Sequence, residues 1–168
     1  MVSALTVLGL TAFPEGRYAT YVDLTHAIRA RFTTPAATLR ELYSRISYNI
    51  LCGNTDDQGR NHAAYVTPTG LRLTPAYGIC PQARSGSEVN QAMAFVPGGD
   101  RSAVARRLIA AAGTYHLDPT TAFDIVEHQI AVIRQHWTDV CDTAQLTINR
   151  RAAFMGRQFL HPYALDGL

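Results

Sequence analysis

Apolar positions recur at helical spacing along most of this chain and divide it into helices joined by polar loops. The clearest run follows Thr34-Pro35, an N-capping residue and a proline at the first helical position. From there Leu39, Leu42, Tyr43, Ile46, Ile50 and Leu51 form one stripe, and Gly53 supplies a stop. This predicts a central packing strut that delivers a polar loop, Gly-Asn-Thr-Asp-Asp-Gln-Gly-Arg-Asn (Gly53 to Asn61), off its C-terminal end. Ahead of it, Thr20–Phe32 predicts a helix with Thr20 as N-cap and Asp23 where its charge favours the helix dipole. Val22, Ala27 and Ile28 supply its apolar positions, and His26 reads as a surface or packing residue. Asp118-Pro119 opens a long helix with Phe123, Val126, Ile130, Ile133, Trp137 and Val140 on one face. Further helices are predicted over Asp100–Ala112, capped by Asp100 or Ser102 and ended by Gly113, and over Thr147–Phe159.

The period changes after the loop. His62–Val66 and Leu71–Thr74 flank Thr-Pro-Thr-Gly and predict a hairpin. That hairpin brings Gly78 back towards Asn61. Val2–Leu10 is apolar but has no basic flank and is too short to span a bilayer, so it predicts neither signal nor anchor. Phe13-Pro-Glu-Gly16 reads as a turn. Pro81–Gly99, rich in Gly, Ser, Gln and Pro, is too long for an ordinary connection. It predicts a surface loop over the helices or, in a kinase, an activation segment, with Ser85 and Ser87 as hydroxyls open to modification. The expected fold class is mainly α with one small β-hairpin.

Composition narrows the classes. A chain of 168 residues with 47% hydrophobic and 17% charged residues predicts one folded domain, residues 1–168. A net charge of +2 gives no electrostatic footprint for direct nucleic-acid binding. All 15 basic residues are arginine, so no lysine is available to grip nucleotide phosphates as kinases require. The arginines at 101, 106 and 107 form a basic face, read as solvated. Cys52, Cys80 and Cys141 are odd in number and lack a paired spacing, which predicts a reducing, cytoplasmic setting. Zinc held by Cys52, Cys80 and His62 would need a fourth ligand, so the thiols read as buried.

The candidate chemistry lies in the loop after the strut. Asp56 and Asn61 enclose four residues, the arrangement by which kinases set a base beside a metal ligand. A carboxylate and one amide oxygen are a typical protein share of a Mg²⁺ shell. The same spacing also occurs in plain solvated turns.

The flanking residues are specific. Ile46-Ser-Tyr-Asn-Ile-Leu-Cys-Gly-Asn-Thr-Asp56-Asp-Gln-Gly-Arg-Asn61-His62, followed by Leu73-Thr-Pro-Ala-Tyr-Gly78, resembles the HipA family of serine/threonine kinase toxins from bacterial persistence modules. The likeness extends to Ser3-Ala-Leu-Thr-Val-Leu-Gly-Leu, Tyr21-Val-Asp-Leu, Trp137 and Gly156-Arg-Gln-Phe-Leu-His-Pro162. It implies the C-terminal, helical lobe of a protein-kinase-like fold, with Asp56 as catalytic base and Asn61 as a metal ligand. It further implies Mg²⁺ and ATP as cofactors, a protein substrate, and a helix-turn-helix antitoxin (HipB-like) as partner. A nucleotide-binding lobe should precede Met1.

Three positions depart from the family pattern. Gly78 stands where the family's second metal carboxylate belongs, Gln58 where a histidine is usual, and Arg60 where lysine is frequent. Arg60 keeps the charge, while Gln58 hydrogen-bonds but does not titrate. Two functions remain open: an impaired part of a HipA-type kinase, or a non-catalytic remnant that binds the antitoxin.

Overall fold

The structure, a computed structural model, describes residues 1–12, 14–82, 86 and 88–168. Ser85, Ser87 and the start of the turn expected at Phe13 lie outside the described residues. Elements run in the order β1 (Val2–Ser3), α1 (Ala4–Leu8), α2 (Tyr21–Arg31), α3 (Pro35–Cys52), β2 (Ala63–Thr67), β3 (Gly70–Leu73), α4 (Ala105–Ala110), α5 (Pro119–Thr143) and α6 (Ile148–Phe154). Short 3₁₀ turns at Glu15–Tyr18, Gly59–Asn61, Ala112–Tyr115 and Pro162–Leu165 join them.

α3 is the strut that the stripe predicts. Leu39, Leu42, Tyr43, Ile46, Ile50 and Leu51 are all buried, and α2, α4 and α5 pack on the helix. Pro35 opens it, Thr34 makes no side-chain capping bond, and Gly53 closes it in the left-handed region at φ 72°. In α2, Thr20 accepts from the Asp23 amide at 3.0 Å, as its sequence implies. Its buried face is Tyr21, Leu24, Thr25 and Ile28. Val22 and Ala27 sit only partly buried at the margin, so of the three apolar positions only Ile28 belongs to the core. α5 is capped by Asp118 on the Thr121 amide (2.9 Å) and buries Val126, Ile130 and Ile133. Phe123 and Val140 at the ends of its stripe are exposed, while their neighbours Ala122 and Cys141 are buried in their place.

The hairpin has a third partner. β1 pairs antiparallel with β2 (Val2 opposite Ala64), giving a three-stranded sheet in the order β1-β2-β3. The sequence conceals this strand, since two strand residues pass straight into α1 through Ser3, whose hydroxyl accepts from the Thr6 amide. The helix expected over Asp100–Ala112 is shorter, Ala105–Ala110. Asp100 turns its carboxylate onto the Ser102 amide (2.8 Å) and caps a local turn instead of a helix. α6 likewise stops at Phe154, where Gly156 at φ 79° takes the chain into a tight turn.

The segment before α4 is irregular, as its composition predicts, yet it is not merely a surface wrap. Met93 and Phe95 are buried in the core. The Ala94 carbonyl accepts from the Tyr21 amide (2.9 Å), and Tyr115 donates its hydroxyl to the Phe95 carbonyl (2.7 Å). The basic residues beyond it are not simply solvated. Arg106 pairs with Asp166 at 3.0 Å, and Arg107 lies 3.9 Å from Asp100.

The C-terminal segment braces the end of α3. Leu160 donates its amide to the Leu51 carbonyl (2.8 Å), and Phe159 packs on Trp137 with ring centroids 5.1 Å apart. A Cβ on Gly53 would sit 2.6 Å from the Gln158 carbonyl oxygen. Gly53→Ala is therefore expected to lose about 1–3 kcal/mol from backbone strain alone, with further loss as the brace is pushed away. Urea unfolding of the variant beside the parent chain reads this directly.

Candidate active-site loop

α3 ends by handing its last turn to the loop. Asn54 donates its amide to the Asn49 carbonyl (2.9 Å), the Gln82 amide donates to the Gly53 carbonyl (3.0 Å), and the Ala92 amide to the Thr55 carbonyl (2.9 Å). Backbone bonds from α3, the segment after the hairpin and the irregular segment thus fix its first residues. The loop then turns through Gly59–Asn61 into β2, with Gly59 enclosed by Leu5 and Ala19.

The three positions singled out in sequence come together here. Asn61 donates from Nδ2 to the Asp56 backbone carbonyl at 3.4 Å. Gly78, at φ 71°, lies so close to Asn61 that an added Cβ would be 3.1 Å from Asn61 Cγ. Asp56 is exposed, and its Oδ1 accepts from Gln58 Nε2 at 2.5 Å. Gln58, at the family's histidine position, therefore engages the carboxylate directly. Arg60 is exposed, and its carbonyl accepts from the Tyr77 hydroxyl at 2.8 Å, which ties the loop to the strand exit near Gly78.

Asp57, next to Asp56, does the opposite and turns inward. Tyr21 donates its hydroxyl to Asp57 Oδ2 in a very short hydrogen bond. Asn49 Nδ2 lies 2.6 Å and His62 Nε2 2.8 Å from the same oxygen. With two other donors on that oxygen, the imidazole is assigned as the third, Nε2 carrying hydrogen. Asn54 donates from Nδ2 to Asn49 Oδ1 (3.0 Å) and lies 3.4 Å from the Gly78 carbonyl. Burial first, and the adjacent Asp57 carboxylate second, push the Tyr21 phenol well above its ordinary value, so it stays a donor.

Sequence reasoning passed over this cluster. The available signal was a run of polar residues inside the strut: Arg45, Ser47 and Asn49 are all buried, and a helix buried on nearly every side needs polar partners there. His62 belongs to this cluster and not to a zinc site with the cysteines. Cys52 is buried, and burial pushes its thiol up to about 11. Cys141 is buried too, whereas Cys80 is exposed, contrary to the expectation of three buried thiols.

The donor set does not suit Mg²⁺–ATP. Asn61 offers one amide oxygen, Gly78 offers no side chain, and Asp56 is hydrogen-bonded by Gln58. A cavity of about 690 Å³ lies elsewhere, between α3 and α5 beside Tyr48, Ile125 and Val132.

Residues 1–137 match the family model of the HipA-like C-terminal domain. A serine/threonine-protein kinase toxin HipA of Shewanella oneidensis is 30% identical over 53 residues, covering 32% of this chain and 12% of that protein. In the solved complex of HipA, HipB and operator DNA from Shewanella oneidensis, a matching chain superposes with a TM-score of 0.75 at 20% identity. That match covers 91% of this chain and 39% of the other, which shows the fold; the chain thus spans well under half of either relative. By its match over most of its length and by the fold it shares, this chain belongs to the HipA-like C-terminal domain family.

Proposed function

We propose that the chain is the helical lobe of a HipA-type serine/threonine protein kinase toxin, impaired at its metal site. Asp56 takes the place of the base for a substrate hydroxyl, and Asn61 that of one metal ligand. The observation that carries the impairment is Gly78 seated against the Asn61 side chain, where the family's second metal carboxylate stands. Kinases work almost wholly by positioning and charge. With no carboxylate at position 78, Asn61 is left without the second protein ligand that would share the metal. Three free cysteines fit a reducing cytoplasm, and no helix among the described residues is long and apolar enough to cross a membrane.

A second reading is a non-catalytic module that binds a helix-turn-helix antitoxin. What favours it is the same missing carboxylate, together with the likeness to a HipA solved with HipB. Titration calorimetry with Mg²⁺–ATP tests the impairment. The isolated chain is expected to show no saturation in the micromolar range, where binding would be worth about −8 kcal/mol. Clear micromolar saturation would show the nucleotide site to be sound.

A further inference from the structure

Behind the loop lies a cavity of about 10 Å³, lined by Arg45, Asn49, Asp57, Asn61, His62 and Tyr77 among others. That space holds one water molecule and nothing larger. Its lining carries unmatched hydrogen-bonding capacity. Arg45 is buried; it donates from Nε to Glu41 (2.8 Å) and from Nη2 to the Thr74 carbonyl (2.7 Å). Its Nη1 is buried with no partner among the described residues. Asp57 is buried as well, and the bonds from Tyr21, Asn49 and His62 all fall on Oδ2. A guanidinium with a spare donor and a carboxylate with a spare oxygen thus share one cavity.

We propose that a single ordered water bridges Arg45 and Asp57 in this cavity and holds the Asn61 side chain in place. The water accepts from Arg45 Nη1 and donates to Asp57 Oδ1, leaving its second hydrogen for the Asn61 amide oxygen. The wall offers one spare donor, Arg45 Nη1, and spare acceptors on Asp57, Asn61 and His62, whose Nδ1 is also buried without a partner among the described residues; a molecule that accepts once and donates twice serves the donor and two of these acceptors. A cation would face the Arg45 charge, an anion would face Asp57, and a phosphate exceeds the space. Such a bridge satisfies two buried charged groups that otherwise lack full compensation. It also connects α3 and the end of β3, through Arg45 and Thr74, to the residue beside Gly78. Arg45 and Asp57 are then positioning residues for Asn61. The water site stands by itself, whereas its part in catalysis rests on the reading of Asn61 as a metal ligand.

Water–protein NOE spectra of the chain test both levels. A long-lived water is expected to give cross-peaks to the Arg45 guanidinium and the Asn61 side-chain amide. Arg45→Met should abolish them and move the Asn61 side-chain amide resonances, which a purely structural arginine would not do. If that variant does not fold, a crystal structure of the parent chain decides, with water density within about 3.2 Å of Arg45 Nη1 and Asp57 Oδ1 expected. Absent cross-peaks, or a direct Arg45–Asp57 contact filling the cavity, would overturn the site. Cross-peaks retained with Asn61 unmoved in the variant would overturn the positioning role. Neither result depends on Mg²⁺–ATP binding, so the bridge and the kinase reading fail separately.

Discussion

Asp57→Ala is expected to destabilise the chain by about 3–5 kcal/mol, the usual consequence of removing one partner from a buried charged cluster. The substitution strands the Tyr21 hydroxyl, the Asn49 amide and the His62 imidazole, which converge on one buried carboxylate oxygen. Each stranded buried group carries its own desolvation penalty. The neighbouring Asp56 supplies the control. It is exposed and, among the described residues, its carboxylate hydrogen-bonds only with Gln58, so Asp56→Ala should stay within about 0.5 kcal/mol. Urea unfolding of the two variants separates them. Equal losses would mean that the loop is not anchored through Asp57.

That contrast marks where the sequence stopped being legible. The strut, its start at Pro35 and its stop at Gly53 followed from spacing alone, because a helix buried along one stripe repeats its apolar residues. The approach of Gly78 to Asn61 followed from the loop and hairpin order. Which of two adjacent aspartates faces inward did not follow, since a loop has no period to assign a face. The core role of Met93 and Phe95 was hidden for the same reason, in a stretch read as a surface loop or an activation segment. β1 went unread because two residues are too few to show alternation before α1 begins. Asp100 was misassigned as a helix cap because its carboxylate binds the Ser102 amide just as well in an isolated turn.

The second large effect concerns position 78. If the loop is otherwise sound, joining this chain to the nucleotide-binding lobe of a HipA-family kinase and making Gly78→Asp should restore phosphoryl transfer. Altering a residue behind a metal ligand typically costs about 10–100-fold, and a missing ligand should cost more. Two features oppose the gain. Gly78 is left-handed, and its Cβ would press on Asn61 Cγ at 3.1 Å. Aspartate tolerates that backbone region better than most residues, and strain of this kind costs about 1–3 kcal/mol. A local shift of Asn61 is therefore expected to accompany recovery. Asp56→Asn in the restored fusion should abolish transfer, because an amide does not accept the substrate proton.

Radiolabel transfer from ATP by the fusion, with Gly78 and with Gly78→Asp side by side, tests the impairment most directly. Little transfer is expected with glycine, and a gain beyond about 100-fold with aspartate. Equal activity in the two fusions would contradict the impairment, since the lost carboxylate would never have been needed. Inactivity in both, with Mg²⁺ still bound, would move the defect elsewhere and favour the antitoxin-binding module.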